Sequence, residues 1–272
     1  MLAFVVPLRP KLGCKNWELE VHLLKRTIKS ILNQTSSNFQ IFLVYTDKPE
    51  LNIDDPKLRL IKFPYQFLPL EEIIDKNNPH NNIASKSNWG LVSEMDKGRK
   101  VSYGCKIAKE NRCDYIMQVD GDDLVNRSIA EFVNSHLHLK KPGWYIEKGY
   151  IYVEGRKYIL KQPSKMNLIN SSTHILREDL VSIPDFNSKD VFDFSLFGSH
   201  GYLKKRIFLK HKVNITAFPY YGIIYILSGN NQSAIFEINK AKSLKNFIKL
   251  LVRGKLLSSK LRMDFGLYNI NL

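Results

Sequence analysis

Several features that mark common protein classes are scarce in this chain of 272 residues. Its three cysteines, Cys14, Cys105 and Cys113, lack the paired spacing of a metal site, which favours free thiols in a reducing compartment. No apolar run is long enough to span a bilayer, and the apolar start lacks the basic residues of a signal peptide. Internal repeats and heptad runs are also missing. A cytoplasmic globular protein is therefore expected.

Acidic residues are few: 26 Asp and Glu stand against 41 Lys and Arg, a net charge of +15. This balance predicts an anionic partner, such as a nucleotide, a nucleic acid or an anionic membrane face. The C-terminal segment 237–272 is basic, because from Ile238 onward eight Lys and Arg face a single acid, Asp264. One helical face there is apolar, formed by Leu244, Phe247, Ile248, Leu251 and Val252, and Gly254 is expected to end this helix. Such a basic amphipathic segment either lies on the inner face of the cell membrane or packs on the domain.

Strand and helix patterns alternate through the first half of the chain. Strands are predicted at 2–7, 40–45, 57–63 and 115–119, and helices at 17–31, 89–111 and 124–139. Gly98 marks a potential break in the second helix, and Asp123 a potential N-cap of the third. The second half predicts a strand or hairpin over 144–153 with a return over 156–160, then another short strand at 171–176 and an aromatic and apolar segment at 216–227. This order predicts an α/β fold with a central mixed, mostly parallel sheet flanked by helices.

The run from Tyr115 to Leu124 is the most informative stretch, because an apolar strand ends directly in Asp120, Asp122 and Asp123. Carboxylates crowded at a strand end repel one another unless a cation neutralises them, and hard oxygen ligands suit Mg²⁺ or Mn²⁺ shared with a phosphate. A turn followed by a helix cap is the alternative reading. Asp47 follows another strand. Because ligands bind where parallel strands end, Asp47 and Asp120 are expected to line one crevice.

The order of these segments resembles that of family 2 glycosyltransferases with the GT-A fold. The resemblance is carried by Val5-Val6-Pro7 and by the segments 24–35, 39–47, 97–108 and 115–123, the last containing the DXD motif Asp120-Gly121-Asp122. It implies a single GT-A type Rossmann-like domain. Residues 1–140 would form a half that binds a nucleotide-sugar, and residues 141–236 a half that binds the acceptor.

The resemblance also implies roles for individual residues around the donor. Pro7 and Asp47 would line the nucleotide base. Near the nucleotide would lie Asp96, Arg99 and Lys100, of which the two cations could equally belong to a solvated helix face together with Lys97. Asp120 would approach the ribose or the metal, and Asp122 would bind the Mn²⁺ or Mg²⁺ ion that bridges the diphosphate.

Two further roles fall in the second half of the chain. Direct displacement with inversion needs a general base, for which Asp190, Asp193 and Glu178 are the candidates. Asp193 is preferred because its apolar neighbours in sequence would make its carboxylate a stronger base, although a surface position is the alternative. His200, in a Gly-rich stretch, would be a third metal ligand, a diphosphate contact or polar surface.

The resemblance implies a hexosyltransferase-like enzyme that moves a monosaccharide to a saccharide or lipid-linked acceptor. Two other function classes are alternatives. A nucleotidyltransferase acting on a sugar phosphate would carry a Gly-rich loop after the first strand, but residues 8–13 contain one glycine. A non-enzymatic nucleic-acid-binding protein would suit the charge. However, no basic and aromatic motif is recognisable, and the acidic run would repel a phosphate backbone. No nucleic-acid partner is therefore expected.

Overall fold

A seven-stranded mixed sheet forms the centre of the computed structural model, which describes residues 1–74, 88–198, 200–227 and 252–267. Its strands, in spatial order, are β3 (Leu58–Lys62), β2 (Phe39–Tyr45), β1 (Leu2–Pro7), β4 (Tyr115–Gln118), β9 (His174–Arg177), β6 (Gly143–Tyr145) and β10 (Thr216–Ala217). The first four run parallel, whereas β9 is antiparallel to both of its neighbours. The prediction of a mixed, mostly parallel sheet is confirmed.

Helices cover both faces of this sheet. On one face lie α1 (Trp17–Leu32) and α3 (Ile129–Ser135), and on the other α2 (Asn88–Glu110) and α4 (His200–His211). A further helix, α5 (Ser259–Phe265), packs elsewhere. Side chains of β1 alternate between the two faces, so Phe4 packs in the core that contains Leu24 of α1, and Val5 in the core that contains Val101 of α2. The mixed α/β class therefore follows from a central strand that is buried on both sides.

A second sheet of five strands was not predicted. It consists of β12 (Gly254–Leu256), β8 (Tyr158–Gln162), β7 (Gly149–Val153), β11 (Ile223–Leu227) and β5 (Leu124–Val125). The predicted hairpin with its return strand corresponds to β7 and β8. Its first residues, however, belong to β6 in the other sheet, because the chain leaves one sheet and enters the other between Tyr145 and Gly149.

The helix predicted over 124–139 is wrong at its start. Residues 124–125 form β5 and pair with β11, and α3 begins only at Ile129 after Ser128. Asp123 is therefore not a helix cap. The physical reason is tertiary pairing, since the partner strand lies about a hundred residues further along the chain and no local pattern reports it.

Helix α2 runs through Gly98 without the potential break. A Cβ atom at Gly98 would lie 2.5 Å from the carbonyl oxygen of Phe194, closer than atoms that are not bonded can approach. The glycine is needed for close contact between α2 and the segment 190–198. It does not mark a break in the helix.

The end of the chain packs on the domain where it is described. Leu261 and Phe265 of α5, together with Leu267, join the core formed by the second sheet. Four of the five residues of the predicted amphipathic face, 244–251, lie outside the described residues. Strand β12 begins at Gly254. In the described part of the chain, no helix is both long enough and apolar enough to cross a membrane.

Candidate functional site

A cleft of about 540 Å³ lies at the carboxyl ends of β1 and β4. Strand β1 has β2 on one side and β4 on the other, so the strand order reverses at this point, and open α/β sheets bind ligands at such reversals. Pro7, Leu8 and Arg9 follow β1 into the cleft, and the turn 120–122 follows β4. The other walls come from α2 (93–98), from 168–171, from 191–198 and from the start of α4.

Asp120 is held by donors from three directions. Its Oδ1 accepts from Lys97 Nζ at 2.5 Å and from Gln118 Nε2 at 2.5 Å, and its Oδ2 accepts from Ser171 Oγ at 2.6 Å. Its backbone N–H donates to Ser172 Oγ at 2.8 Å. Burial alone would raise the pKa of Asp120, but the charge of Lys97 and these hydrogen bonds hold it below its ordinary value. Asp120 is therefore an ionised and positioned carboxylate.

Asp122, two residues on, behaves in the opposite way. Burial, followed by the negative charges of Asp120 and Glu20, raises the pKa of Asp122 to about 7, and Lys97 and Arg9 only partly oppose this rise. The cleft thus holds more carboxylate than its own cations neutralise. A bound cation would remove this repulsion.

Asp123 lies beneath the turn 120–122 and has a structural role. It is fully buried, and its Oδ2 accepts from Asn170 Nδ2 at 2.8 Å and from Ser172 Oγ at 2.6 Å. Among the described residues, its Oδ1 has no hydrogen-bond partner. Burial, with Asp122 and Asp120 adding to it, raises the pKa of Asp123 well above its ordinary value. The hydrogen bonds of Asp123 tie the turn to the segment 170–172.

The predicted metal-ligand set of Asp120, Asp122 and His200 is not formed. In the described ranges, no group of three or more His, Cys, Asp or Glu side chains is arranged to hold a metal ion. Nδ1 of His200 lies 3.1 Å from the carbonyl oxygen of Gly198, and Asp120 is paired with Lys97. Mg²⁺ is often held by one or two carboxylates together with substrate phosphates. The crowded carboxylate of Asp122 fits that kind of site.

Asp47 lies at the same edge of the sheet but in an adjoining pocket. That pocket, about 970 Å³, is lined by Lys11, Tyr45 and Asp47 together with side chains of α1. The carboxylate of Asp47 accepts from the backbone N–H of Lys11 at 2.7 Å. The expectation that Asp47 and Asp120 line one crevice is therefore corrected. The loop after β1 separates them, with Arg9 lining the cleft and Lys11 lining the pocket.

Asp96 and Lys100 form a buried ion pair behind the loop after β1. Lys100 Nζ lies 2.8 Å from Asp96 Oδ2 and donates to the carbonyl oxygen of Leu8 at 2.9 Å. Burial raises the pKa of Asp96, which Lys100 opposes; burial lowers the pKa of Lys100, which Asp96 opposes. Asp96 lines the cleft, whereas Lys100 is fully buried and holds the loop.

Arg99 lies outside the cleft lining and supports a different part of the chain. It donates to the carbonyl oxygen of Gln66 at 2.7 Å, and its guanidinium lies over the ring of Phe63 at 5.5 Å. It also donates to the carbonyl oxygen of Phe186 at 3.3 Å. These contacts join α2 to two loops.

The candidates for the general base lie on two different sides of the molecule. Asp190 and Asp193 belong to the segment 190–198, whose residues Val191 and Phe194 line the cleft. Asp193 itself is exposed and accepts from Ser188 Oγ at 2.6 Å, so its surroundings are not the apolar ones expected. Asp190 is half-buried, with its Oδ1 accepting from the backbone N–H of Phe192 at 2.9 Å.

Glu178 is excluded from the cleft by its position. It follows β9 and pairs with Lys109 at 3.3 Å. Its backbone N–H donates to the carbonyl oxygen of Asp114, at the start of β4. This is the amino edge of the parallel strands, opposite the cleft.

Several cleft residues were missed by sequence reasoning. Lys97 was interpreted only as part of a solvated helix face, although its spacing of four from Ser93 on α2 places both on one side of the helix. Glu94, Arg9 and Glu20 also line the cleft. The donors at 170–172 carry no local signal, because only the fold brings them beneath the turn after β4.

Comparisons with known proteins give no match to a protein-family model and none to a curated protein. Among solved structures, the chain is similar to S. aureus TarS 1–349, with 10% identity, 83% of this chain and 60% of that chain covered, and a TM-score of 0.44. TarS 1–349 in complex with UDP-GlcNAc has 10% identity and a TM-score of 0.45, with 96% of this chain and 69% of that chain covered. A longer TarS structure has 12% identity and a TM-score of 0.44, with 84% of this chain and 37% of that chain covered. The chain thus spans about 60% of the length of the TarS 1–349 structure, and a TM-score below 0.5 describes only a partial likeness of the backbones.

Proposed function

We propose that the chain is a glycosyltransferase that binds a nucleoside-diphosphate sugar in the cleft and transfers its monosaccharide to a saccharide or lipid-linked acceptor. One observation carries this proposal: the turn with Asp120 and Asp122 meets the end of β1 in a single cleft where the strand order reverses. Carboxylates and cations at such a place suit a ligand that carries phosphates and a sugar.

The donor diphosphate is proposed to lie between the turn after β4 and the loop after β1. Asp122 and the donor phosphates would hold Mn²⁺ or Mg²⁺, which when bound stabilises the negative charge that develops on the leaving diphosphate. Lys97 keeps Asp120 ionised, and Asp120 would approach the ribose. Lys100 fixes the backbone of the loop through the carbonyl of Leu8. The adjoining pocket at Asp47 would take the base.

The acceptor is proposed to enter the cleft along the wall that Val191, Phe194 and Phe197 form. Direct displacement with inversion needs a carboxylate that takes the proton of the acceptor hydroxyl as the new bond forms. Asp193 and Asp190 stay predictions for this role, and Glu94 joins them because it lines the cleft. Substitution of such a base should lower turnover and leave donor binding intact, whereas substitution of a donor-binding residue should weaken donor binding.

A thermal-shift experiment tests donor binding. The panel contains nucleoside diphosphates and their sugars, including UDP and UDP-GlcNAc, the ligands of two TarS structures, each with Mn²⁺ or with a chelator. A true donor raises the melting temperature by mass action, and the Mn²⁺-dependent part of the rise is expected to vanish in Asp122→Asn. Asp54→Asn, an exposed carboxylate far along the chain from the turn, is the matched control.

The proposal fails if no nucleoside diphosphate or nucleotide-sugar shifts the melting temperature of the wild type. The site assignment fails if Asp122→Asn responds like the control. For the base, Asp190→Asn, Asp193→Asn and Glu94→Gln are compared by turnover of the donor identified in the panel. The base is the one whose substitution lowers turnover and leaves the donor-induced shift unchanged.

A further inference from the structure

Helix α4 lies in a stretch of the chain that has positive charge and no acid. Residues 194–227 contain five Lys and Arg, all within 204–212, and no Asp or Glu. The buried side of α4 is narrow, consisting of Leu203 and Ile207 one turn apart. The greater part of the helix surface is left toward solvent.

The exposed side of α4 combines apolar and basic side chains. Phe208 is 44% exposed and Leu209 is 55% exposed, although both are large and apolar. Tyr202, on the same side, is 46% exposed. Four exposed lysines lie among or just beyond them: Lys204, Lys205, Lys210 and Lys212. We call these seven residues the α4 face.

The lysines of the α4 face have no acidic partner. Lys204 Nζ lies over the ring of Tyr145 at 4.7 Å, and Lys210 donates to the hydroxyl of Ser182. None of the four lysines forms a salt bridge with any residue that the structure describes. Their charge is therefore available to an anionic partner.

The α4 face begins at the mouth of the cleft. His200, Gly201 and Tyr202, the first residues of α4, line the cleft itself. Leu168, which is 48% exposed, lines the cleft from a neighbouring segment that contacts α4. A surface bound to the α4 face would therefore lie beside the cleft opening.

We propose that the α4 face docks on the surface of an anionic lipid bilayer. Lysines around exposed aromatic and aliphatic side chains match a surface with negative headgroups above an apolar layer. A soluble polyanion would match the lysines but would give Phe208 and Leu209 no apolar environment. The combination favours the bilayer. Under the proposed function, on which this consequence rests, the cleft opening would face lipid-linked acceptors.

Vesicle flotation tests the docking directly. The full chain is mixed with phosphatidylcholine vesicles that either contain or lack phosphatidylglycerol, and binding is expected only with the anionic lipid. Phe208→Ser combined with Leu209→Ser should weaken binding about tenfold or more, because the apolar contribution is lost while the charge is kept. Lys204→Glu combined with Lys205→Glu should weaken it to a similar degree or further.

Matched controls separate the α4 face from general surface effects. Leu12→Ser removes an exposed leucine (77% exposed) from another part of the surface, and Arg156→Glu with Lys157→Glu reverses two exposed charges in the β7–β8 turn. Both controls should bind vesicles like the wild type. All variants keep the basic residues of 238–253, so that segment contributes equally to every sample. Thermal melting verifies that each variant is folded.

Three results would overturn the proposal: no binding of the wild type to anionic vesicles, equal binding of the wild type and both α4-face variants, or loss of binding in the lysine variant while Phe208→Ser with Leu209→Ser binds like the wild type. The last result would indicate a soluble polyanion such as nucleic acid. None of these results bears on the donor, because vesicle binding uses no nucleotide. Phe208→Ser with Leu209→Ser should keep the donor-induced thermal shift, so failure here and failure of the transferase proposal are distinguishable.

Discussion

Helix α2 carries two lysine–aspartate pairs within one turn, and their surroundings differ sharply. Lys100 is fully buried with Asp96, and the pair is tied to the carbonyl of Leu8. Lys97 pairs with Asp120 in the open cleft, where the two side chains are 34% and 23% exposed. Lys100 of the first pair is closed to any ligand, whereas the second pair can exchange partners with one.

This difference shows that the same two residue types can stabilise the fold in one place and form part of the candidate site in another. A buried ion pair gains little net stability, but losing one partner leaves an uncompensated charge, so the pair fixes its surroundings strictly. A partly exposed pair is screened by water and contributes little to folding. Sequence spacing cannot tell these pairs apart, because Lys97 and Lys100 are three residues apart and lie near one another on α2, and only their tertiary contacts differ.

The largest expected effect is that of Lys100→Met, which breaks the buried pair. Asp96 would remain buried without its cation, and the free energy of unfolding should fall by about 3–5 kcal/mol. Urea denaturation measures the change. Lys106→Met, which breaks an exposed pair with Glu110, should cost less than about 0.5 kcal/mol. Equal midpoints for the two variants would show that the buried pair does not hold the loop.

Gly98 lies between the two lysines in sequence, and Gly98→Ala should have the next largest effect on the free energy of unfolding. Alanine favours helices, yet its Cβ would clash with the carbonyl oxygen of Phe194, so a loss of about 1–3 kcal/mol is expected. Gly201→Ala on α4 is the control, because a Cβ there meets nothing within 4 Å. It should be neutral or slightly stabilising in the same denaturation experiment. A stabilised Gly98→Ala variant would contradict the close contact.

Asp122→Asn should alter the dependence of stability on pH. The pKa of Asp122 is raised from 3.8 to about 7, so between these values the native state binds more protons than the unfolded chain, and stability falls as pH rises. The variant lacks this loss. With a chelator present, the free energy of unfolding of the variant should exceed that of the wild type by on the order of 1 kcal/mol at pH 8 and by less at pH 5. Parallel pH profiles would refute the raised pKa.

Lys97→Met should have the smallest effect on stability, less than about 1 kcal/mol, because its pair is partly exposed. Donor binding is where the substitution should be felt. Without Lys97, the pKa of Asp120 loses its main lowering influence, and a charged contact beside the donor disappears. We expect donor affinity, measured by titration calorimetry, to fall about tenfold or more. Lys97→Arg should restore part of it, and an unchanged affinity would remove Lys97 from the site.

Local sequence patterns predicted the elements whose apolar residues recur with the period of a strand or a helix. Strand β1 has the predicted bounds, β2 and β4 differ by one residue, and α1 buries Val21, Leu24 and Ile28 on one face as expected. The position of the acidic turn followed from the same logic, because the end of a buried strand is visible in sequence.

What the sequence could not supply was long-range pairing. Leu124 and Val125 look like the start of a helix until β11 arrives to pair with them. Asp123 looks like a helix cap until Asn170 and Ser172 donate to it from a distant segment. In the same way, the neighbours of Asp193 in sequence are apolar, but they turn inward while Asp193 faces solvent.

The contact at Gly98 has a consequence for how the two substrates would communicate. Helix α2 carries Lys97, which is proposed to lie beside the donor, and Phe194 belongs to the wall that is proposed for the acceptor. The two backbones touch with no side chain between them to absorb a displacement. Under the proposed function, any movement of α2 on donor binding would therefore be passed directly to the segment 190–198, and ordered binding with the nucleotide-sugar first would be expected.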